Sequence, residues 1–158
     1  MHQTTHSHPI LAPISGKTIA LDAVPDPVFS EKLTGDGIAI LAASDTVLAP
    51  CSGVISLFFE TKHAFAITAK DGTQILVHIG LDTVIMNGEG ITTLHQPGDQ
   101  VTAGEPILKL DLALLKKHSI NLISPVLIVN YDTIRNLETA RIGQDMTAGT
   151  DKLLSYTK

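Results

Sequence analysis

A short phrase that occurs twice constrains this chain more than any other feature. Ala12-Pro13-Ile14-Ser15-Gly16 returns as Ala49-Pro50-Cys51-Ser52-Gly53, each time leading into an apolar run, with a weaker echo at Ser124-Pro125-Val126. Gly35-Asp36-Gly37-Ile38 likewise returns as Gly88-Glu89-Gly90-Ile91. The copies are too few for a solenoid, so the repetition predicts two related β-motifs packed against each other. Proline blocks ladder pairing before each run, and glycine permits the tight turn. Between such punctuation, short apolar runs predict strands over 17–21, 37–41, 53–59, 65–69, 74–79, 107–110 and 127–130. Two short helices interrupt them. Asp26 caps one, with Pro27 at its first position, and Asp111 caps 112–118, where Lys116 and Lys117 suit the C-terminal end. The expected fold is all-β: a compact antiparallel β-sandwich, or barrel-sandwich hybrid, with internal duplication and one or two short helices.

Composition narrows the class. The 158 residues suit one domain, and with 4% aromatics and no Trp its core must be Ile, Leu, Val and Ala. The net charge of −5 and the lack of any Lys/Arg run argue against nucleic acid or an anionic membrane as the main partner and favour a basic protein. A single cysteine, Cys51, rules out an intrachain disulfide and fits a reducing cytosol. Residues 1–9 lack the apolar core of a signal peptide, and runs such as 75–79 are far too short to span a bilayer. A cytoplasmic protein without membrane insertion is expected. Residues 1–9 read as a flexible polar leader and 10–158 as the domain; a loose metal-binding tail of His2, His6 and His8 is the minor alternative.

Only His63 and His78 lie inside strongly patterned strand sequence. Their runs flank Lys70-Asp71-Gly72-Thr73, and Asp-Gly is a strong signal for a two-residue hairpin. That turn pairs Lys70 with Thr73, sets His63 opposite Gly80 and His78 opposite Phe65, and leaves both histidines diagonal on one sheet face, about 7–8 Å apart. A three-residue turn would shift the register by one and separate them. Alternation sends Ile75, Val77 and Ile79 into the main core, and Leu76 and His78 to the other side with Phe65 and Ile67 beside them.

Two imidazoles without an obvious acid suit phosphoryl chemistry. A neutral imidazole is a good nucleophile near physiological pH, and its second nitrogen can be held by a backbone carbonyl, for which Gly80 is well placed. The other histidine can donate to a phosphoryl oxygen while Thr61 orients it. Apolar surroundings slow hydrolysis of the phosphohistidine. A zinc hydrolase lacks one ligand unless a carboxylate such as Asp82 joins the pair. Neither a Gly-x-Ser-x-Gly elbow nor a phosphate-cradling Gly-rich loop occurs.

Several ordered blocks carry a family resemblance. They are Ala12-Pro13-x-Ser15-Gly16, Val24-Pro25-Asp26 through Phe29, Glu31-Lys32, Gly35 to Ile40, Phe59-Glu60-Thr61-x-His63-Ala64-Phe65, Val77-His78-x-Gly80-x-Asp82-Thr83-Val84 and Gly88-Glu89-Gly90. From Ile10 onward the sequence resembles the glucose/N-acetylglucosamine-type IIA component of the bacterial phosphoenolpyruvate-dependent sugar phosphotransferase system. The resemblance implies a β-sandwich whose phosphoryl acceptor is His78, with His63 as auxiliary histidine and Thr61 orienting it. It implies phosphate received from the carrier HPr and passed to a cysteine of the IIB domain of a membrane sugar permease. Asp26 and Asp82 are the acidic pair implied to meet HPr, and Phe29, Leu33 and Phe59 the apolar rim; Asp26 is expected to cap its helix as well. No cofactor is implied. Regulatory binding to metabolic enzymes or transporters, including a zinc shared through His63 and His78, belongs to the resemblance alone. Leu76, Thr34 and Lys62 depart from the pattern, and Lys62 reads either as a phosphate attractor or as a solvated side chain. His95 and His118 read as solvated surface residues. Nothing in the sequence names the sugar.

Overall fold

A computed structural model describes residues 7–158. Its strands are β1 (His8–Leu11), β2 (Gly16–Ile19), β3 (Asp36–Ala42), β4 (Thr46–Leu48), β5 (Gly53–Phe58), β6 (Ala64–Thr68) and β7 (Gln74–His78). They continue as β8 (Ile91–Thr93), β9 (Gln100–Val101), β10 (Pro106–Leu110), β11 (Ile123–Ile128), β12 (Arg135–Thr139), β13 (Asp145–Met146) and β14 (Lys152–Thr157). Eight strands form one sheet in the order β13-β2-β3-β11-β7-β6-β5-β9, and two three-stranded sheets, β1-β14-β12 and β4-β10-β8, accompany it. The pairings are antiparallel and the sheets stay open rather than closing into a barrel. This is the expected all-β sandwich with two short helices, α1 (Pro27–Ser30) and α2 (Leu112–Lys117).

The duplication is visible in the backbone bonding. Leu11 N–H donates to Pro50 O (2.9 Å) and Leu48 N–H to Pro13 O (2.7 Å), a reciprocal exchange between the two copies of the repeated phrase. Ala12 bonds Asp151 O and Gly149 N–H, just as Ala49 bonds Glu105 O and Gly104 N–H. Even the serines match: Ser15 Oγ accepts from Ala148 N–H and Ser52 Oγ from Ala103 N–H, each at 2.9 Å.

Alternation sorts the sheet into two faces. Ile75, Val77 and Ile79 join Ile38, Ile40, Ile55, Phe65, Ile67 and Val126 in the main core. The other face is shallower, built from Ala39, Ala64, Ala66, Leu76 and Leu127, and Leu21, Val24 and Phe29 cover it. Phe65 and Ile67 therefore sit in the main core, not beside His78 as the sequence suggested. The turn explains the difference. Ala69 and Thr73 close a three-residue loop, with Gly72 at φ +91° and Asp71 Oδ1 accepting from Thr73 N–H (2.9 Å). The register moves by one, setting His78 opposite Ala64 and Phe65 opposite Val77.

Other expectations need smaller corrections. His8 and Pro9, read as leader, pair with Tyr156 and Ser155 in the β1–β14 ladder, and His8 stacks on Tyr156 at 5.1 Å. Residues 1–6, including His2 and His6, lie outside the described residues. The run expected at 127–130 begins earlier, at Ile123, despite Pro125. Pro125 has no N–H to give, and the β11–β7 ladder stops next to it, at Val126–Val77. Among the described residues no helix is long and apolar enough to cross a membrane.

Candidate phosphoryl-transfer site

His78 ends β7, on the shallow face, where the ladder with β11 has just stopped. Its ring is fixed on one side: Nδ1 lies 2.7 Å from Gly80 O. A carbonyl oxygen only accepts, so Nδ1 carries the proton and Nε2 keeps its lone pair. Gly80 adopts φ +73°, and a Cβ there would meet Thr83 Oγ1 at 2.3 Å and Asn121 O at 2.8 Å. Only glycine fits this turn.

His63 reaches the same place by another route. With the three-residue turn, strict alternation would put it on the far face. It lies just before β6, however, after a tight turn in which Lys62 N–H donates to Phe59 O (2.8 Å) and Lys62 takes φ +67°. That left-handed residue frees His63 from the pleat, and its carbonyl accepts from Ile79 N–H at 2.7 Å. The His63 and His78 rings meet edge to face, centroids 4.7 Å apart. Thr61 Oγ1 lies 2.8 Å from His63 Nδ1. Thr61–His63 and His78–Gly80 are thus two hydrogen-bonded pairs whose rings touch, brought together by a backbone device that the sequence reading did not contain.

Aromatic rings frame the pair. Phe29, buried under α1, packs edge-on to His78 at 4.9 Å, and Phe59 stands at 5.3 Å from His63 and 6.3 Å from His78. Asp26 caps α1 through Oδ1 to Val28 N–H (3.1 Å), as expected. Asp82 is exposed in the turn after His78, and Leu33, 72% exposed, stands clear of the cluster beneath the histidines. The sequence reading missed Val84 and Ile85, exposed at 53% and 69% in the 3-10 turn after Asp82, and Ser124, buried behind Gly80. The signals were an apolar pair in a polar turn and a hydroxyl in an apolar run. Lys62 is exposed, and the stem of its side chain lies against Gly88.

The electrostatics favour neutral rings. Burial pushes the His78 imidazole from its ordinary 6.5 down to about 4; His63 adds to the depression, while the Gly80 carbonyl and the charge of Asp26 oppose it. Burial also lowers His63, and hydrogen bonding to the Thr61 backbone opposes the shift. Burial is the main cause at both rings, and at His78 the charge of His63 adds to it. At neutral pH two uncharged imidazoles face each other, one with a free lone pair. Among the described residues no group of three His, Cys, Asp or Glu side chains is arranged to hold a metal ion.

Residues 8–134 match the family described as phosphoenolpyruvate-dependent sugar phosphotransferase system, EIIA 1. The chain belongs to this family. Members of the EIIA family are phosphotransferase components, and the relatives agree. A glucose-specific EIIA component of Borreliella burgdorferi is 48% identical over 82% of this chain and 68% of its own length. One from Oceanobacillus iheyensis is 39% identical over 92% and 87%. A glucose-specific EIICBA component of Staphylococcus carnosus is 40% identical over 85% of this chain, which spans only 20% of that larger protein. The solved structure of glucose permease IIA from Mycoplasma capricolum superposes with a TM-score of 0.85 at 36% identity, covering 98% of this chain and 99% of that one. Such EIIA likeness bears out the β-sandwich read from the sequence.

Proposed function

We propose that this EIIA chain carries a phosphoryl group on Nε2 of His78. The carrying observation is the anchored ring: Nδ1–H is held by Gly80 O at 2.7 Å, which leaves Nε2 bare beside a second imidazole. Nε2 attacks the phosphorus of a phosphohistidine on HPr; the new N–P bond forms as the old one breaks, and the departing imidazole keeps the electron pair. In the onward step a thiolate of the IIB domain attacks the same phosphorus and His78 regains its lone pair. No proton need move at His78 in either step. Thr61 O–H donating to His63 Nδ1 leaves an N–H on His63 Nε2 to bond the phosphoryl oxygens.

The surroundings fit two successive protein partners. Phe59, Val84 and Ile85 offer exposed apolar area close to acidic Asp26 and Asp82, suiting a basic partner with an apolar contact. The joined IIA, IIB and IIC parts in the name of the Staphylococcus carnosus relative support IIB as the acceptor. The relatives' names support glucose as the sugar; N-acetylglucosamine is the other sugar of the reading, and the relay is read as cytoplasmic. Phospho-HPr tests this. Wild type should take up acid-labile, base-stable phosphate; His78→Gln should take up none; His63→Gln should still load but pass phosphate to IIB more slowly. Loading of His78→Gln would overturn the assignment.

A further inference from the structure

We propose that Ser124, assisted by Thr83, is a positioning residue for phosphoryl transfer, acting through the Gly80 turn that holds the proton on His78 Nδ1. The inference rests on the reading of His78 as the phosphoryl carrier and deepens it.

Two peptide units flank Gly80, and each is fixed by groups outside β7. In the first, Gly80 N–H donates to Ser124 Oγ (3.1 Å) and Ile79 O accepts from Thr83 Oγ1–H. In the second, Leu81 N–H donates to Asn121 O (3.0 Å), and the carbonyl of the same peptide faces His78 Nδ1. Ser124 Oγ–H donates to Leu122 O (2.9 Å), so its only proton is committed and a lone pair is aimed at Gly80 N–H. Ser124 and Thr83 are both fully buried.

The need for a side chain here follows from the end of the ladder. The β11–β7 ladder ends at Val126–Val77, so beyond His78 the β11 backbone offers no ladder partner. The Ser124 hydroxyl supplies the missing acceptor. Without it Gly80 N–H is buried unpaired, and the turn gains by rotating toward water or another acceptor. Its carbonyl then leaves Nδ1–H, and the imidazole is free to move its proton to Nε2, where a protonated nitrogen has no lone pair for phosphorus.

The test compares wild type, Ser124→Ala, Ser124→Thr and Thr83→Val. Ser15→Ala serves as control, because Ser15 Oγ also accepts a backbone N–H (2.9 Å) but belongs to the repeat, away from the histidines. Three quantities are read: melting temperature, the His78 tautomer from long-range ¹H–¹⁵N spectra at neutral pH, and the initial rate of phosphoryl uptake from phospho-HPr. Wild type should show Nδ1–H alone. Ser124→Ala should show mixed tautomers and uptake slowed about tenfold or more. Ser124→Thr should restore both. Ser15→Ala should melt earlier with tautomer and rate intact. If Ser124→Ala does not fold, Thr83→Val carries the same expectation. A folded Ser124→Ala or Thr83→Val protein with wild-type tautomer and rate overturns the proposal. Failure of wild type to load His78 instead breaks the relay reading, and the tautomer spectra still judge the anchoring.

Discussion

Two histidine-bearing regions of this molecule use the same side chain in opposite ways. His95, in the turn before β9, places Nδ1 3.0 Å from Asp99 Oδ2 and Nε2 2.7 Å from Glu105 Oε2. Both carboxylates are themselves tied down: Asp99 Oδ2 accepts from Gln96 N–H (3.0 Å) and Glu105 Oε1 from Thr102 N–H (3.1 Å). His95 is therefore a clip between two turns, not the solvated residue its sequence context suggested. His78 gives one nitrogen to a carbonyl and keeps the other bare. A carboxylate on each side occupies both nitrogens, whereas a carbonyl on one side selects a lone pair on the other. Chemical competence is set by what faces the ring.

Gly80→Ala should blur that contrast most. The added methyl meets Thr83 Oγ1 and the Asn121 carbonyl in a left-handed residue, which should cost about 2 kcal/mol or more and release His78 from its acceptor. Denaturant unfolding should show the loss, and phosphoryl uptake should fall further than the unfolded fraction accounts for. Uptake at the wild-type rate would show that the carbonyl does not matter.

The next test uses pH. The His78 ring should titrate near 4 in a ¹H NMR titration, well below an unburied imidazole. Between about pH 6.5 and 4 the unfolded chain then binds a proton that the folded chain refuses, so stability falls as the pH drops through this window. The contribution is complete above about 6.5, amounts to about 3 kcal/mol, and is lost as pH 4 is approached. His63, lowered in the same direction, adds to the same trend. A His78 midpoint near 6.5 would erase the difference between buried and open rings.

The smallest effect belongs to the other region. His95→Gln should lower the melting temperature by about 3 °C and leave phosphoryl uptake unchanged. A large loss of uptake would mean that the two regions are coupled.

How much was legible varies by element. Ile75, Val77 and Ile79 declared their inward face by alternation, and Asp26 and Asp111 their caps, each confirmed by a side-chain bond to a backbone N–H. Strands such as β4, β9 and β13 were not legible, because two or three residues are too few to show a period. Arg135–Thr139 was hidden because it is largely exposed and its composition reads as loop. At the site, the residue types of His78, Gly80, His63 and Thr61 were readable, but the route that joins them was not. The turn at Asp71-Gly72 has three residues rather than two, and by itself that would have parted the histidines. Lys62, an unremarkable residue with a left-handed backbone, brings them back together.

By itself the sequence determined the β-sandwich with its duplicated motif, the Ile/Val core and the presence of two histidines with nucleophilic side-chain chemistry, because these depend on period, punctuation and residue type. The tertiary structure alone decided the hairpin register, the end of the ladder at Pro125 and the hydroxyls behind Gly80. Those depend on which backbone groups find partners across the chain, and a donor at Gly80 with its acceptor at Ser124, 44 residues away, leaves no mark on local pattern.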